Sequence, residues 1–425
     1  MELCTRPHDP KRPLPCMDET FKQFNGKLLR ILRSRLTRTA RALISGSKPL
    51  PRISFDTAAL RVLPPLRYGL IGLGVMGRNH LRILRRRPYA KIGGFADGQS
   101  VQAPQGMEVR HFESSEQLIQ SGEVDVVVIA APHRLHPELA IASLQAGLHV
   151  ICEKPLAISV AQADAVRNAA AKSRGLFTVV YQSRYEPAYQ FAKSLLERGE
   201  LGRIVRCDMV ETSFRPQVYF ASSPWRGTWK GEGGGVLVNQ APHVLDRYAW
   251  LCGMPARVSG VCATALHRIE VEDAVDAVFQ HADGAQGHVH VSINEAPATS
   301  RVVIVCDGGR ITIEQGEVAV DRLDQSIQNR CAAETRPFAD IPGRTERWAW
   351  AWMTWSNKLL ELFHDSVALA IAGRNPLPVT AVQAAQEVEL ASAIRLSSAT
   401  GQWVQLPVDR SQFDALLAEK IGQDS

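Results

Sequence analysis

The sequence predicts an α/β protein, in which an N-terminal doubly wound parallel sheet is followed by an α+β domain with a large, mostly antiparallel open sheet. Three observations support this fold class. A glycine-rich turn near residue 72 joins a strand pattern to a helix pattern. Strand and helix patterns then alternate up to residue 184, which is typical of a parallel sheet covered by helices. From residue 204 to residue 320 strand patterns dominate, with apolar and polar residues in alternation.

The positive charge of the chain is concentrated at its N-terminus. The 425 residues contain 49 Lys+Arg and 43 Asp+Glu, a net charge of +6, but residues 1–66 alone hold 13 basic and 5 acidic residues. The rest of the chain is therefore close to neutral, and nucleic acid is not expected as a partner. No apolar run reaches the roughly 18 residues that a transmembrane helix needs. The eight cysteines form no C-x-x-C pair, which favours reduced thiols and a cytoplasmic location.

Residues 1–65 are predicted to be a basic N-terminal extension that is poorly ordered or forms one amphipathic helix. Between residues 21 and 45 apolar side chains recur at helical spacing, with basic residues between them and no acidic residue. Such a segment is compatible with an organellar transit peptide, which would place the protein in an organellar matrix, with a membrane-surface helix, or with a docking segment for an acidic partner. A solvated extension without a function fits the pattern equally well.

The glycine-rich turn has the context that a dinucleotide site requires. The predicted strand 66–71 leads into G-x-G-x-x-G, and a helix pattern follows. The first glycine permits a tight turn, and the second lets the backbone approach a pyrophosphate held by N–H groups at the helix start. A second strand ends at Asp97, whose carboxylate can bind ribose hydroxyls and repels a 2′-phosphate, so NAD is favoured over NADP. The motif consists of Gly72, Leu73, Gly74, Val75, Met76 and Gly77.

Strand and helix patterns continue in alternation, so residues 66–184 are predicted to form one dinucleotide-binding Rossmann domain. Strands are predicted at 124–130, 149–152 and 177–181, and helices at 137–146 and 159–173. Ligands bind at the carboxyl ends of parallel strands, so residues that follow strands are candidates for cofactor contacts. They are Ala131, Pro132 and His136 after one strand, and Glu153 and Lys154 after the next. His136 could equally cap the start of the helix that follows it.

After residue 184 the pattern changes, and residues 185–425 are predicted to form an α+β domain for substrate binding and oligomerisation. A helix is predicted at 185–198, and strands at 204–214 and across 258–320. Between them lie three consecutive glycines, 233–235, which would let the backbone approach a ligand closely. Asn239 and His243 follow four residues apart, so on one helix they would point the same way.

The combination of these motifs resembles the Gfo/Idh/MocA family, named after glucose–fructose oxidoreductase and inositol dehydrogenase. The resemblance spans about residues 66–408. It implies an NAD(P)-dependent dehydrogenase or reductase that acts on a CH–OH group of a sugar, a cyclitol or a sugar derivative. The shared marks are the glycine motif, Pro132 with His136, Glu153-Lys154-Pro155, Arg184, the G-G-G…H…D block at 233–246 and the closing segment from Pro378 to Pro407.

The resemblance also implies roles for individual residues. Lys154 matches the catalytic lysine of the family, and His243 matches its catalytic histidine. One position departs: inositol dehydrogenase-like members commonly carry an aspartate where this chain has Asn239, and an amide can neither carry charge nor take up a proton. We expect His243 to act as the general acid/base together with Lys154 and Asn239. The expected substrate contacts are Arg184, Tyr219, Trp225, Arg226, Trp229, Asn239 and His243, since aromatic faces and bidentate donors suit sugar rings.

Two rival functions are open at this point. A glycosidase could hold NAD, oxidise C3 transiently and eliminate the leaving group without net formation of NADH. A non-catalytic nucleotide-binding protein is the second, although the intact Lys154 and His243 argue against it. No metal site is predicted. A small-molecule sugar or polyol is the expected partner, and an open sheet with an apolar face favours a homo-oligomer, either a dimer or a tetramer.

Overall fold

The computed structural model describes residues 48–50, 57–98, 109–349 and 355–422. The helix predicted between residues 21 and 45 lies outside these residues. No helix in the described ranges is long and apolar enough to cross a membrane.

The strands, in chain order, are β1 (Lys48–Pro49), β2 (Leu66–Ile71), β3 (Ala90–Ala96), β4 (His111–Phe112), β5 (Val126–Ile129), β6 (His149–Cys152), β7 (Phe177–Val179), β8 (Ile204–Thr212), β9 (Arg257–Ala263), β10 (Ala274–Gln280), β11 (Gln286–Ser292), β12 (Ser300–Cys306), β13 (Gly309–Glu314), β14 (Glu317–Leu323), β15 (Gly343–Ala349) and β16 (Val404–Gln405).

Helices connect and cover these strands, and local capping residues mark where several of them begin. The hydroxyls of Ser114 and Ser159, for example, each accept a backbone N–H at the start of the helix that follows. The helices are α1 (Thr57–Arg61), α2 (Val75–Leu84), α3 (Ser115–Gln120), α4 (His136–Gln145), α5 (Val160–Lys172), α6 (Pro187–Glu197), α7 (Val218–Ala221), α8 (Trp229–Glu232), α9 (Val236–Asn239), α10 (Pro242–Cys252), α11 (Ile327–Ala333), α12 (Trp355–Ile371), α13 (Ala381–Thr400) and α14 (Arg410–Gly422).

Six of the described strands form a parallel sheet in the order β4-β3-β2-β5-β6-β7, which confirms the predicted doubly wound sheet. All four residues of β5 are buried, as expected for a strand covered on both faces. The strand order reverses between β2 and β5, and ligands bind in the crevice at the carboxyl ends of the strands at such a point. Gly72 follows β2 and Ala130 follows β5, so the two loops border this crevice.

The other ten described strands form a mixed sheet in the order β1-β15-β14-β13-β12-β8-β11-β10-β9-β16. Neighbours are antiparallel except at β8–β11 and β1–β15, which confirms the prediction of a large, mostly antiparallel sheet. Burial alternates along β10, so one face is in the core and the other is accessible. The buried face packs with α6, α10 and part of α13 in a second hydrophobic core.

Helix α13 joins the two cores. Ala384 and Val388 pack in the core of the parallel sheet, whereas Leu390 and Ile394 pack in the core of the mixed sheet. Because the helix is buried on nearly all sides, its apolar residues do not form the single stripe of a surface helix. A polar residue in this helix, such as Glu387, therefore lies between the two domains rather than in solvent.

Segments from both sides of residues 66–184 pack back on the protein. Leu60 of α1 is buried in the core of the parallel sheet, and β1 pairs with β15, so the described residues before 66 pack on the body of the protein. Helix α12 also returns to the first domain, where Arg87 pairs with Glu361 at 2.8 Å and with Asp365 at 3.2 Å. Local sequence patterns do not encode such returns of the chain.

Candidate active site

The glycine turn between β2 and α2 leaves open space at one of its three glycines. Gly72 has φ of +91°, and a Cβ there would lie 2.5 Å from the carbonyl oxygen of Ala130. A Cβ on Gly77 would lie 1.9 Å from the carbonyl oxygen of Gly72, so neither position accepts a side chain. A Cβ on Gly74 would meet nothing within 4 Å, and α2 begins there without a side-chain cap. This space and the N–H groups of the first helical turn fit the pyrophosphate of a dinucleotide.

Asp97 lies just after β3 and contacts the glycine turn. Its Oδ2 accepts a hydrogen bond from the backbone N–H of Leu73 at 2.6 Å. The carboxylate is thereby held beside the turn, where the ribose adjacent to the pyrophosphate is bound in this type of fold. Val75 and Met76 at the start of α2 keep exposed side chains. Together the glycine turn and Asp97 fit a bound NAD.

Contrary to the prediction, His136 is not placed to contact a cofactor. Its ring is buried, with Nε2 2.8 Å from the carbonyl oxygen of Ala131 and Nδ1 2.8 Å from that of Pro155. Both ring nitrogens therefore face the backbone of the loops that follow β5 and β6, while Pro132 remains exposed. Burial lowers the pKa of His136. The histidine positions the two loops relative to each other.

Glu153 and Lys154 follow β6, and their side chains have different surroundings. Glu153 is buried, and its Oε1 lies 2.9 Å from Nε2 of His80 on α2. Nδ1 of His80 lies 2.8 Å from Nε2 of His364 on α12, so a buried chain of three polar side chains links the strand end to two helices. Nζ of Lys154 points to the second domain, where it donates to the backbone carbonyl oxygen of Asn239 at 2.7 Å.

Burial and nearby charges act in opposite directions on Lys154. Burial lowers the pKa of this ammonium group, and three carboxylates, Glu153, Glu387 and Glu232, partly offset the effect. Burial alone would raise the pKa of Glu153, but the hydrogen bond and charge of His80, with the charge of Lys154, outweigh it and lower that pKa. Glu153 is therefore an ionised partner, and Lys154 releases a proton more readily than an ordinary lysine.

His243 lies at the start of α10, and its side chain is partly accessible. Its buried Nδ1 has no hydrogen-bond partner among the described residues. The ring of Tyr181 lies edge-on to the imidazole, with the ring centroids 6.0 Å apart. Burial, followed by the positive charges of Lys154 and Arg247, lowers the pKa of His243 to about 3. The imidazole is therefore neutral at neutral pH and can accept a proton.

Glu387 on α13 is a buried acid near this site that the sequence reasoning missed. The hydroxyl of Tyr181, whose ring contacts His243, donates to Oε2 of Glu387 at 3.1 Å. Burial raises the pKa of Glu387 to about 8, although the hydrogen bond from Tyr181 acts in the opposite direction. The only signal in the sequence is a carboxylate among the apolar residues of a buried helix, which does not identify its partner.

The glycines 233–235 approach other parts of the protein, not an open ligand space. A Cβ on Gly235 would lie 1.8 Å from the backbone carbonyl oxygen of Glu272. The side chain of Glu272, which the sequence did not single out, accepts the N–H groups of Gly235 at 2.9 Å and Leu237 at 3.1 Å. The glycines therefore allow α9 to be held against the loop before β10, and the predicted close approach to a ligand is not what they provide.

Asn239 and His243 occupy two short helices rather than one. Asn239 is the last residue of α9. A new helix, α10, begins at Pro242, and His243 is its second residue. Both residues still lie near Lys154. The backbone carbonyl oxygen of Asn239 accepts a hydrogen bond from its ammonium group, and the charge of that group lowers the pKa of His243. The side-chain Nδ2 of Asn239 contacts Oε1 of Glu232 and lies 3.2 Å from the hydroxyl of Tyr219.

Tyr219, Trp225 and Arg226 form a cluster next to Asn239. Nη1 of Arg226 donates to the hydroxyl of Tyr219 at 2.6 Å. The guanidinium carbon of Arg226 lies 4.5 Å from the ring centre of Tyr219 and 4.4 Å from that of Trp225. Trp225 also lies edge-on to His133 in the loop after β5, with ring centroids 5.5 Å apart. The cluster therefore spans from the second domain to the nucleotide-binding loops.

Trp229 belongs to a different cavity. Its indole N–H donates to the backbone carbonyl oxygen of Glu270 at 3.0 Å. Together with Arg395, Phe413 and other residues it lines a cavity of about 250 Å³ that neither Lys154 nor His243 lines. The expectation that Trp229 contacts the same substrate as these residues is not supported.

Arg184 has a structural role, in contrast to its predicted contact with substrate. It is buried, and Nε and Nη2 bind the carboxylate of Asp246 at 2.9 Å and 2.6 Å. Nη1 donates to the carbonyl oxygen of Pro378 at 3.3 Å and to Oε1 of Gln383 at 3.1 Å. The guanidinium thus ties α10 to the start of α13 and has no free face for a sugar.

Replacing Arg184 with methionine is expected to lower the free energy of unfolding by about 3–5 kcal/mol, because the carboxylate of Asp246 is left buried and unpaired. The double variant Arg184→Met/Asp246→Leu should lose much less than the single variant, since no isolated charge remains. Urea unfolding of the three proteins measures both effects. If Arg184→Met keeps its stability but loses affinity for substrate, Arg184 contacts the substrate and the structural role is wrong.

Comparisons with known proteins agree with this architecture. Residues 66–181 match the family model for the oxidoreductase family with an NAD-binding Rossmann fold, and residues 189–312 match that for the GFO/IDH/MocA C-terminal domain. Inositol 2-dehydrogenase 1 of Saccharopolyspora erythraea is 35% identical over 244 residues, which cover 54% of this chain and 68% of the relative. Levoglucosan dehydrogenase of Pseudarthrobacter phenanthrenivorans is 29% identical over 268 residues, 54% of this chain and 68% of the relative.

A solved structure shows the same fold. The WlbA dehydrogenase from Bordetella pertussis, in complex with NADH and UDP-GlcNAcA, superposes with a TM-score of 0.70 and 27% identity. The match covers 81% of this chain and 99% of the WlbA chain.

The glycine turn at the switch point of a parallel sheet, with a second sheet domain closing over it, defines an NAD-binding oxidoreductase of the sugar and cyclitol dehydrogenase type. The chain belongs to the GFO/IDH/MocA family, and the resemblance seen in its motifs is thereby confirmed.

Proposed function

We propose that this protein transfers a hydride between a ring alcohol of a sugar, a cyclitol or a sugar derivative and NAD, with His243 as the general acid/base and Lys154 as the donor that orients the reacting oxygen. One observation carries the proposal. A neutral, half-buried histidine lies near a half-buried lysine that follows a strand of the parallel sheet. A proton acceptor and an oxygen-binding donor are what alcohol oxidation requires of the protein.

The nicotinamide, when bound, supplies the hydride acceptor for the alcohol carbon. The glycine turn at 72–77 would hold the pyrophosphate, and Asp97 the adjacent ribose. Lys154 prepares the alcohol: its ammonium has three hydrogens, one of which is bound by the carbonyl oxygen of Asn239 at 2.7 Å. The other two can bind the substrate oxygen and stabilise the negative charge that develops as its proton leaves.

His243 removes that proton. Because its pKa is about 3, the imidazole is unprotonated when substrate arrives, and it holds the captured proton only weakly. A base this weak is expected to take the proton only as the hydride leaves, because the hydroxyl becomes far more acidic as the carbonyl forms. Tyr181 packs edge-on against the ring and is itself held by its 3.1 Å hydrogen bond to Glu387, which helps to fix the position of the imidazole.

The substrate class follows from the groups around Asn239. Tyr219, Trp225 and Arg226 offer aromatic faces, a hydroxyl and a cation next to the proposed base and donor. The names of two relatives, levoglucosan dehydrogenase and inositol 2-dehydrogenase, support a carbohydrate or cyclitol. A thermal-shift screen of sugars and polyols with NAD present, followed by turnover on each hit, tests the proposal. A protein that no sugar or polyol stabilises, and that oxidises none of them, contradicts it.

The preference for NAD over NADP is proposed to rest on the charge of Asp97. Asp97→Asn keeps an oxygen that can accept the N–H of Leu73 but removes the charge that repels a 2′-phosphate. The ratio of the two dissociation constants, measured by fluorescence titration, is expected to move towards NADP by about tenfold, or about 1.4 kcal/mol. An unchanged ratio would show that Asp97 only supports the turn.

A further inference from the structure

Glu232, at the end of α8, fixes the orientation of the Asn239 amide. Its side chain is about 1% exposed, Oε2 accepts the backbone N–H of Gly227 at 2.8 Å, and Oε1 contacts Nδ2 of Asn239. Burial raises the pKa of Glu232, while these two N–H donors and the charge of Arg226 favour its ionised form. Because Nδ2 of Asn239 lies against Oε1 of Glu232, the NH₂ group of Asn239 faces Glu232 and its Oδ1 is turned away from it.

The hydrogen bonds around Tyr219 define the direction of its own proton. Its hydroxyl oxygen lies 2.6 Å from Nη1 of Arg226, 3.2 Å from Nδ2 of Asn239 and 3.5 Å from Nε2 of Gln240. These nitrogens can only donate, so the oxygen acts as acceptor towards the two nearer ones, Arg226 and Asn239. No acceptor for the Tyr219 proton is present among the described residues. The hydroxyl therefore has a proton to offer to a ligand.

We propose that Glu232 sets Asn239 and Tyr219 as a recognition pair for two neighbouring oxygens of an uncharged polyol. The side-chain carbonyl of Asn239 accepts a hydrogen bond from one substrate hydroxyl, and Tyr219 donates to the next oxygen. The inference rests on the proposed function, because Lys154, which binds the backbone of Asn239 at 2.7 Å, places the reacting oxygen next to this pair.

The pair selects against groups that cannot donate a proton. A hydroxyl can donate a hydrogen bond to the carbonyl oxygen of Asn239, whereas a carboxylate offers only acceptors. A buried acceptor left without a partner weakens binding by about tenfold to a hundredfold. Neutral diols such as myo-inositol are therefore expected to bind better than D-glucuronate.

Exchanging the acid and the amide tests the pair. Glu232→Gln leaves one acceptor oxygen for two donors, the N–H of Gly227 and the NH₂ of Asn239. Asn239→Asp places two carboxylates in contact, which must share a proton. The double variant Glu232→Gln/Asn239→Asp restores one acid and one amide, and its carboxylate at position 239 still presents an acceptor to the substrate.

The full-length protein with NAD is assayed with myo-inositol, levoglucosan and D-glucuronate, by binding calorimetry and by turnover. Each single variant is expected to raise Kd and KM for the better neutral probe by about tenfold or more, with a smaller change in kcat. The double variant should return to within about threefold of the wild type. Glu197→Gln, at an exposed position on α6, is the matched control and should behave as the wild type.

Each outcome decides the inference. The recognition pair is overturned by single variants without effect, by a double variant as poor as the single ones, or by a wild type that prefers D-glucuronate. In each of these cases, turnover by the wild type leaves the proposed function intact. A wild type that binds none of the three probes overturns both. If a Glu232 variant fails to fold in urea titrations, Tyr219→Phe replaces it. It removes the proposed proton donor, together with the oxygen that accepts from Arg226 and Asn239, and should raise KM for neutral probes.

Discussion

Replacing Lys154 with methionine is expected to reduce kcat/KM by about 10²–10⁴-fold, which corresponds to roughly 3–5 kcal/mol of transition-state stabilisation. Methionine keeps most of the apolar stem but cannot donate a hydrogen bond. The variant therefore loses the contact with the carbonyl oxygen of Asn239 and both donors proposed for the substrate oxygen. The loss should be largest in kcat, because those donors bind the developing charge more strongly than the neutral alcohol.

Two measurements separate this effect from a loss of structure. The Kd for NAD should remain close to that of the wild type, since the glycine turn and Asp97 are unchanged. Lys172→Met, at the exposed end of α5, is the matched control and should keep full turnover. A Lys154→Met enzyme with normal kcat would remove the lysine from the chemistry.

Replacing His243 with alanine is expected to lower kcat by about 10²–10⁴-fold, because the general base is lost. Binding of NAD should persist, as no residue of the glycine turn contacts this ring in the structure. His288→Ala, on the mixed sheet beside Asp276, is the matched control and should leave kcat unchanged. Unchanged turnover in His243→Ala would transfer the role of base to another group, with the buried Lys154 as the first to examine.

The pH dependence gives an independent check on His243. Its pKa is lowered to about 3, so the base stays unprotonated as the pH falls, and kcat/KM for oxidation should not decline through protonation of this ring between about pH 8 and pH 5. An ordinary histidine would lose activity with a midpoint near 6.5. A one-proton decline near 6.5 that disappears in His243→Ala contradicts the buried environment seen here.

Much of the fold and part of the site could be predicted because they depend on local sequence. The turn at 72–77 needs glycine at Gly72 because of its positive φ, and at Gly77 because a Cβ there would meet the carbonyl oxygen of Gly72. The strand His149–Cys152 was predicted with its observed limits, and it places Lys154 two residues after its end. Where local geometry allows only one residue type, or where a strand end fixes the position of a side chain, one sequence is enough for the prediction.

Contacts between distant segments could not be predicted in the same way. Glu387 meets Tyr181, 206 residues away in the chain, only because α13 passes between both cores. Arg184 shows the converse error. A guanidinium can bind a sugar or a buried carboxylate equally well, and only the position of Asp246 in the fold shows which it does.

The central claim is that the site oxidises a ring alcohol and passes its hydride to NAD as net product. The most direct measurement is the absorbance of reduced nicotinamide when wild-type protein and NAD are mixed with each member of a sugar, polyol and glycoside panel, with the organic product identified in parallel. The account predicts one NADH for each ketone formed from the accepted substrate. Cleavage of a glycoside with no net NADH, as in a glycosidase that oxidises C3 transiently, would contradict it.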